Sequence, residues 1–340
     1  MPNATETLGT GETYTTIQAW QDDLDANDQY TGECKGEVFA RVSFFGGTYT
    51  ATKYPHLTVQ SGAEHDGRAH EVSAAGNARI EYSGGGTLVY ISDDNVRVSW
   101  LDMKGPGNNT SSIIFLAAEG TIFIHHNILH NNHANAGHNK AIYPASAADA
   151  RIYRNVVYGT GYAGIYPFGG VAGSVIHCNT IYECNYWEDA FAGGIRTGDT
   201  DYIIMDNASF DNPNVDILGV DGTLDYNATS DGTGDDEGAN GIANLTTADQ
   251  FVDPTTTWAD TDLLVKAGAD LIGAGTTFSA ETYPEIDVSI DKGATRATIT
   301  GAWDIGAAQY VAVAGGLSTS LLALVIGMWI KRRVYSLIGR

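Results

Sequence analysis

The chain has 340 residues, 43% apolar and 10% aromatic, with 41 glycines, 8 prolines and a formal net charge of −23. That length admits one elongated domain or two ordinary ones, and the composition is that of an ordered protein made of short strands and tight turns. All 41 acidic residues precede Tyr310, against 14 of the 18 basic ones. A phosphate-backbone partner needs a basic footprint, so nucleic acid is excluded as a ligand.

The opening MPNATETLGTGETY has neither a basic nor an apolar leader region, so no secretory signal is expected in it. A truncated start, a tail-anchored route and a virion protein assembled inside its host are the three explanations left open. Next, Ile17, Trp20 and Leu24 recur at helical spacing, with Thr15 or Thr16 as N-cap and Asp22-Asp23 at the polar end. This stretch, within residues 1–25, is expected to cap the domain that follows.

From residue 26 to about 225 the pattern becomes short β-branched strands punctuated by Gly, Asn and Asp. Four segments stack: IHHNILH (Ile124–His130), IYRNVVY (Ile152–Tyr158), IHCNTIY (Ile176–Tyr182) and IMDNASF (Ile204–Phe210). Their asparagines, Asn127, Asn155, Asn179 and Asn207, recur at 28, 24 and 28 residues, the signature of a solenoid. Asparagine tolerates the left-handed backbone of a tight corner, and its amide can bond from rung to rung. Residues 57–115 read as earlier, degenerate rungs. Ile142-Tyr143-Pro144, Ile165-Tyr166-Pro167 and Ile195-Arg196-Thr197 mark a further face of the coil. The expected fold is an all-β right-handed parallel β-helix.

Residues 226–309 lose the repeat and pass through the loop SDGTGDDEGAN. Asp231, Asp235, Asp236 and Glu237 there are hard oxygen donors of the kind calcium takes, although the spacing is not that of an EF-hand. Tyr310–Ile330 is a 21-residue run without charge, about 32 Å as a helix, with Lys331-Arg332-Arg333 following at once. It is expected to span a membrane once, leaving the basic tail 331–340 in the cytoplasm or virion interior and the acidic domain outside.

The TYTTIQAWQDDL opening, the Ile-x-x-Asn rungs and the ending LLVKAGADLIGAGTTF…WDIGAAQY resemble right-handed parallel β-helix proteins of the pectate-lyase-like superfamily. The ending, with its Asp304-Ile305-Gly306-Ala307 element, is similar to the choice-of-anchor Q domain, after which different anchors follow. The resemblance implies fold and anchoring. It leaves activity open, because lyases, hydrolases, epimerases, adhesins and trimeric phage spikes share the superfamily.

Two outward stripes carry the candidate chemistry. Phe115, Tyr143, Tyr166 and Arg196 each follow an inward aliphatic, and His130, Tyr158, Tyr182 and Phe210 form a second row. Such aromatic rows suit sugar rings or, equally, cross-rung packing beneath a cover. The first is favoured as a glycan groove because Arg196, Asp199 and Asp201 lie beside it.

An acidic-polysaccharide lyase or glycoside hydrolase would draw on Arg196, Asp199 and Asp201, with Glu188 and Asp189 near. The Asn-Thr-Asp, Asp-Asp and Gly-His-Gly run of polygalacturonases is missing, so no family catalytic residue transfers. His125, His126, His130, His133, His138 and His177 match no zinc spacing and read as surface and loop histidines. Cys34, Cys178 and Cys184 read as free buried thiols, with a Cys178–Cys184 bridge the alternative in an oxidising compartment. The functional expectation is a membrane-anchored surface protein, on a virion or a cell envelope, that recognises glycan and can form a homotrimer. Enzymatic turnover, with or without calcium, is the alternative.

Overall fold

The computed structural model describes residues 4–24, 29–65, 67, 77–105, 112–132, 139–146, 149–169, 173–184, 193–197, 202–218, 223–232, 238–254, 262–278, 282–290, 299 and 302–310. Three sheets of nine, eight and seven strands dominate, and every neighbouring pair within them is parallel. Successive strands go to successive sheets, so each turn of chain lays one strand on each. Thr121–His125, Ile128–Asn132 and Lys140–Pro144 form one such turn. The result is a right-handed parallel β-helix of about seven turns.

The reason lies in three columns of aliphatic side chains. Val98, Ile124, Ile152, Ile176 and Ile204 stand in register on the nine-stranded sheet. Met103, Leu129, Val157 and Ile181 do so on the eight-stranded sheet, and Val89, Ile114, Ile142, Ile165, Ile195 and Ile217 on the seven-stranded one. All are buried. A strand alternates its side chains, so a column facing inward leaves its neighbours facing outward at every rung. β-branched residues fill such columns with little loss of rotamer freedom.

The corner between the nine- and eight-stranded sheets differs from the sequence expectation in one respect. The left-handed residue is not the asparagine but the one before it, His126, Arg154, Cys178, Asp206 and Tyr226, and Trp100 holds the same place before Leu101, with φ between 52° and 64°. Each non-glycine residue held there costs about 1–2 kcal/mol. The asparagines offset that cost by forming a buried ladder. Asn127 donates to Asn155 Oδ1 at 3.1 Å, Asn155 to Asn179 at 3.0 Å, Asn179 to Asn207 at 3.0 Å and Asn207 to Asn227 at 3.1 Å. Each amide also bonds main-chain groups of its own and the neighbouring rung.

The coil exceeds the expected span of 26–225 at both ends. Ala4–Leu8 pairs with Tyr30–Cys34 in the nine-stranded sheet, and Ala228–Thr229 closes the eight-stranded one. Helix Ile17–Asp22 forms where the spacing placed it, with Thr16 Oγ1 accepting from Ala19 N. A strand precedes it, however, so it is not the first element of the coil. Gln18 accepts from Ser43 N and donates to Ser43 O, serving the outermost strand of the seven-stranded sheet as a neighbouring strand would. Trp20 lies beneath Gly32, where any Cβ would stand 2.9 Å from the indole.

After Thr229 the chain runs back along the outside of the coil. Phe251, Leu263, Val265, Leu271, Ile305 and Ala307 pack over Tyr158, Tyr182 and Phe210 to form a second apolar layer. Beside it the chain threads the corner column: Thr276 N donates to Asp206 Oδ1, Arg154 to the carbonyls of Ile286 and Gly306, and Trp100 Nε1 to Glu285. Gly306, at φ 100°, admits this approach because a Cβ would lie 2.8 Å from Thr180 Oγ1. Asp304 closes the segment by accepting from Gly273 N and Tyr310 N.

Among the described residues no helix is long and apolar enough to cross a membrane. Apart from Tyr310, which packs against the outer apolar layer, the expected span 310–330 and the basic tail 331–340 lie outside the described residues.

Candidate functional site

The seven-stranded sheet carries the first aromatic stripe outward, as its alternation requires. Tyr90, Phe115 and Tyr143 are register partners, and Tyr166 and Arg196 follow the paired Ile165 and Ile195. Tyr90 and Phe115 stack at 5.5 Å between ring centroids, Phe115 meets Tyr143 edge-on at 5.3 Å, and Tyr143 and Tyr166 stack at 5.6 Å with planes 7° apart. Parallel rings this close must overlap face to face with an offset; coplanar rings would collide. The stripe is therefore two stacked pairs, Tyr90 with Phe115 and Tyr143 with Tyr166, set edge-on to each other. Phe168, 59% exposed, extends it beyond Tyr166.

Two cations stand over this ladder. Lys140 Nζ lies 4.5 Å from the ring centroid of Tyr143, 5.3 Å from Tyr162 and 5.6 Å from Tyr166. The Arg196 guanidinium lies 4.9 Å from the Tyr166 centroid and donates to the Tyr162 hydroxyl. Ring quadrupoles attract both cations, and the gain grows where water is excluded. Burial, with the charge of Arg196 second, brings Lys140 down to about 8. Burial, with Tyr166 second, raises the Tyr143 phenol above its usual range. Lys140 and Arg196 thus lie together against aromatic walls.

Lys140 and Tyr162 were not among the residues the sequence singled out. The signal was available only through register: Lys140 opens the strand that carries Tyr143, opposite Ala163 in the next rung.

The second stripe has the expected register, His130–Tyr158–Tyr182–Phe210, but the covering segment buries it completely. Tyr158 and Tyr182 are thus part of the packing between coil and cover and offer no ring to a ligand. Asp199, Asp201, Glu188 and Asp189 lie outside the described residues, as do Asp235, Asp236 and Glu237 of the acidic loop. Asp231 is described. It exchanges carboxylate-to-amide bonds with Asp216 at 2.8 and 3.0 Å and so holds a turn.

His125, His126, His130 and His177 are fully buried, not surface residues. His130 meets Asp102 at 2.8 Å, and Arg79 meets the same carboxylate at 2.6 Å. Burial opposes the charge on Asp102, but His130 and Arg79 together hold its carboxyl below the usual range. His133 and His138 lie outside the described residues. The three cysteines are free and buried, and burial pushes the Cys178 and Cys184 thiols up to about 12.

No family model matches the chain, and no curated protein matches it. Among solved structures it is similar to the pectate lyase Pel9A, at 12% identity over 91% of this chain and 96% of that one, with a TM-score of 0.48. A likeness of this size carries no argument about activity.

Proposed function

We propose that the chain is an outward-displayed β-helix surface protein that recognises acidic polysaccharide along the Tyr90–Arg196 ladder. The observation that supports this most directly is the pair of cations, Lys140 and Arg196, held over stacked tyrosines in a chain of net charge −23. Two fixed cations side by side suit successive carboxylates of a polyuronate, and Arg adds planar, bidentate recognition. The rings and phenol hydroxyls along the stripe would supply apolar and hydrogen-bonding contacts to the sugars.

Membrane attachment through residues 310–330, a virion or cell-envelope setting, a homotrimer and calcium at the acidic loop complete the proposal. These parts rest on the sequence alone. Binding of the full-length chain to an array of acidic and neutral glycans, with products examined by mass spectrometry, tests the reading. Retention of acidic glycans without cleavage supports it, and no retention of any acidic glycan removes it.

A second reading, polysaccharide lyase, is favoured by one observation: a lysine brought down to about 8 beside an arginine can take a proton near neutral pH. Unsaturated oligosaccharide products that disappear in Lys140→Gln would establish turnover.

A further inference from the structure

The corner column brings two imidazoles and a carboxylate together at a single rung. His125 Nδ1 and His126 Nδ1 are 2.9 Å apart, and Glu285 Oε2 lies 3.9 Å from His125 Nδ1. The three ligand atoms all fall within 4.8 Å of one another.

Adjacent residues of a strand point to opposite faces, so consecutive histidines do not ordinarily share a ligand. Here His125 ends its strand facing outward, and His126 takes φ 54°, which turns its ring to meet that of His125. The other rungs carry Ser99-Trp100, Tyr153-Arg154, His177-Cys178, Met205-Asp206 and Asp225-Tyr226 at these two positions. Among these rungs, only that of His125 and His126 places two imidazoles there.

Protonation follows from the partners. A carbonyl only accepts, so the 2.7 Å contact from His126 Nε2 to Val288 O fixes the hydrogen on Nε2 and leaves the Nδ1 lone pair directed at His125. A backbone carbonyl on the far nitrogen is the orienting contact that metal-bound imidazoles commonly have. Glu285 Oε2 is oriented in turn by Trp100 Nε1 at 3.0 Å.

We propose that His125 Nδ1, His126 Nδ1 and Glu285 Oε2 bind one divalent transition-metal ion of the zinc type. With bonds of about 2.0–2.2 Å, ligand atoms sharing a tetrahedral ion stand roughly 3.3 Å apart, and the observed 2.9 and 3.9 Å lie on either side of that spacing. Two imidazoles with one carboxylate match zinc, cobalt or nickel and mismatch calcium, which takes six or more oxygens. Solvent supplies the remaining position, reached from the Glu285 side, whose side chain is 27% exposed. On binding, the His125 hydrogen moves from Nδ1 to Nε2, so both imidazoles stay neutral and no net proton is released. Glu285 belongs to the covering segment and the histidines to the coil, so the ion is a staple between the two.

The test uses the full-length chain stripped with EDTA and titrated separately with Zn²⁺ and Co²⁺. One equivalent per chain by calorimetry, visible d–d bands of low-coordinate Co²⁺, and a rise in Tm reversed by EDTA are the expected results. Glu285→Gln and His125→Gln should each weaken Zn²⁺ roughly tenfold or more while the circular dichroism spectrum stays that of the parent. No stoichiometric binding by the parent chain overturns the proposal, as does binding that Glu285→Gln leaves unchanged. Should His125→Gln fail to fold, the exposed-side variant Glu285→Gln carries the decision alone.

Discussion

Arg154 donates from Nη1 to the carbonyl oxygen of Gly306 at 2.9 Å, joining the corner of one rung to a residue 152 positions later. Its Nε donates to Ile286 O at 3.1 Å, and its guanidinium lies 4.9 Å from the Trp303 ring centroid. The side chain is fully buried, so these carbonyls have no access to solvent as a substitute. Arg154→Met keeps the stem and removes the donors. It should cost about 3 kcal/mol or more, because bonds from a charged donor contribute about 1.5–3 kcal/mol each and the orphaned carbonyls add a penalty. Chemical denaturation measures that loss. Hydrogen exchange should show residues 283–290 and 302–307 losing protection before the coil does.

The asparagine ladder gives a second expectation, one of position. Asn155 makes two amide bonds to main-chain carbonyls, donates to Asn179, and accepts from both N and Nδ2 of Asn127. Asn155→Ala removes all five bonds at once, leaves Asn127 N without its Oδ1 acceptor and should cost about 2–4 kcal/mol. Asn155→Asp should be no better at neutral pH, since a carboxylate would face carbonyls where an NH₂ group now donates. Equilibrium denaturation of both variants decides this; an Asp variant close to the parent would mean the amide donors matter little.

The ladder also shows what the sequence could and could not reveal. Ile-x-x-Asn is legible because one interior column and one corner contact repeat at every rung, and so the fold class could be read. The fifth member, Asn227, sits in Leu224-Asp225-Tyr226-Asn227, only 20 residues after Asn207, and the shorter interval hid it. The backbone role of the corner was misassigned because the residue in the left-handed conformation varies freely, from Trp100 to Asp206, and leaves no consensus. Outward stripes were legible as stripes, since alternation fixes their facing. Which stripe is covered was not, because that depends on where residues 242–310 return, a contact between segments far apart in sequence that no local period records. The same long-range return places Glu285 beside His125 and His126.

Lys140 makes the ligand reading testable by pH alone. Its ammonium is charged below about 8 and neutral above, so affinity for an acidic oligosaccharide should fall as pH rises from 7 to 9.5. The loss should be roughly tenfold, about 1–2 kcal/mol, the scale of one charge-assisted contact. Lys140→Arg should remove the pH dependence while keeping affinity, and Lys140→Gln should remove both. A neutral oligosaccharide provides the control. Replacing Tyr143 and Tyr166 together by Ala should abolish binding at every pH, which calorimetry against the same sugars would register.

Asp206 predicts a different pH effect, on stability. Burial raises its carboxyl to about 7, against the pull of the Thr276 amide and Arg154, and its Oδ2 has no partner among the described residues. In the unfolded chain the same group ionises near 3.8. Between about pH 4 and 7 the folded state therefore holds a proton on Asp206 that the unfolded state has released, and this group's contribution to stability falls as pH rises through that window. Asp216, raised by burial to about 6, acts in the same direction over a shorter range. Asp102 acts oppositely: its depressed carboxyl stabilises the fold above its unfolded pKa and stops doing so as pH falls through the folded value. The Asp206 contribution has an upper limit of about 4 kcal/mol, the shift multiplied by 1.36 kcal/mol per pH unit. Asp206→Asn should keep the Oδ1 acceptor for Thr276 and raise stability at pH 7 relative to the parent, by a margin that grows as pH rises from 6 to 7. Buried His177, held well below its usual range by burial, contributes in the opposite sense through pH 6.5 in parent and variant alike. The reading is therefore the variant-minus-parent difference in denaturation midpoint at half-unit intervals from pH 4 to 8. A difference that does not grow between 6 and 7 would mean that Asp206 is ionised in the folded protein.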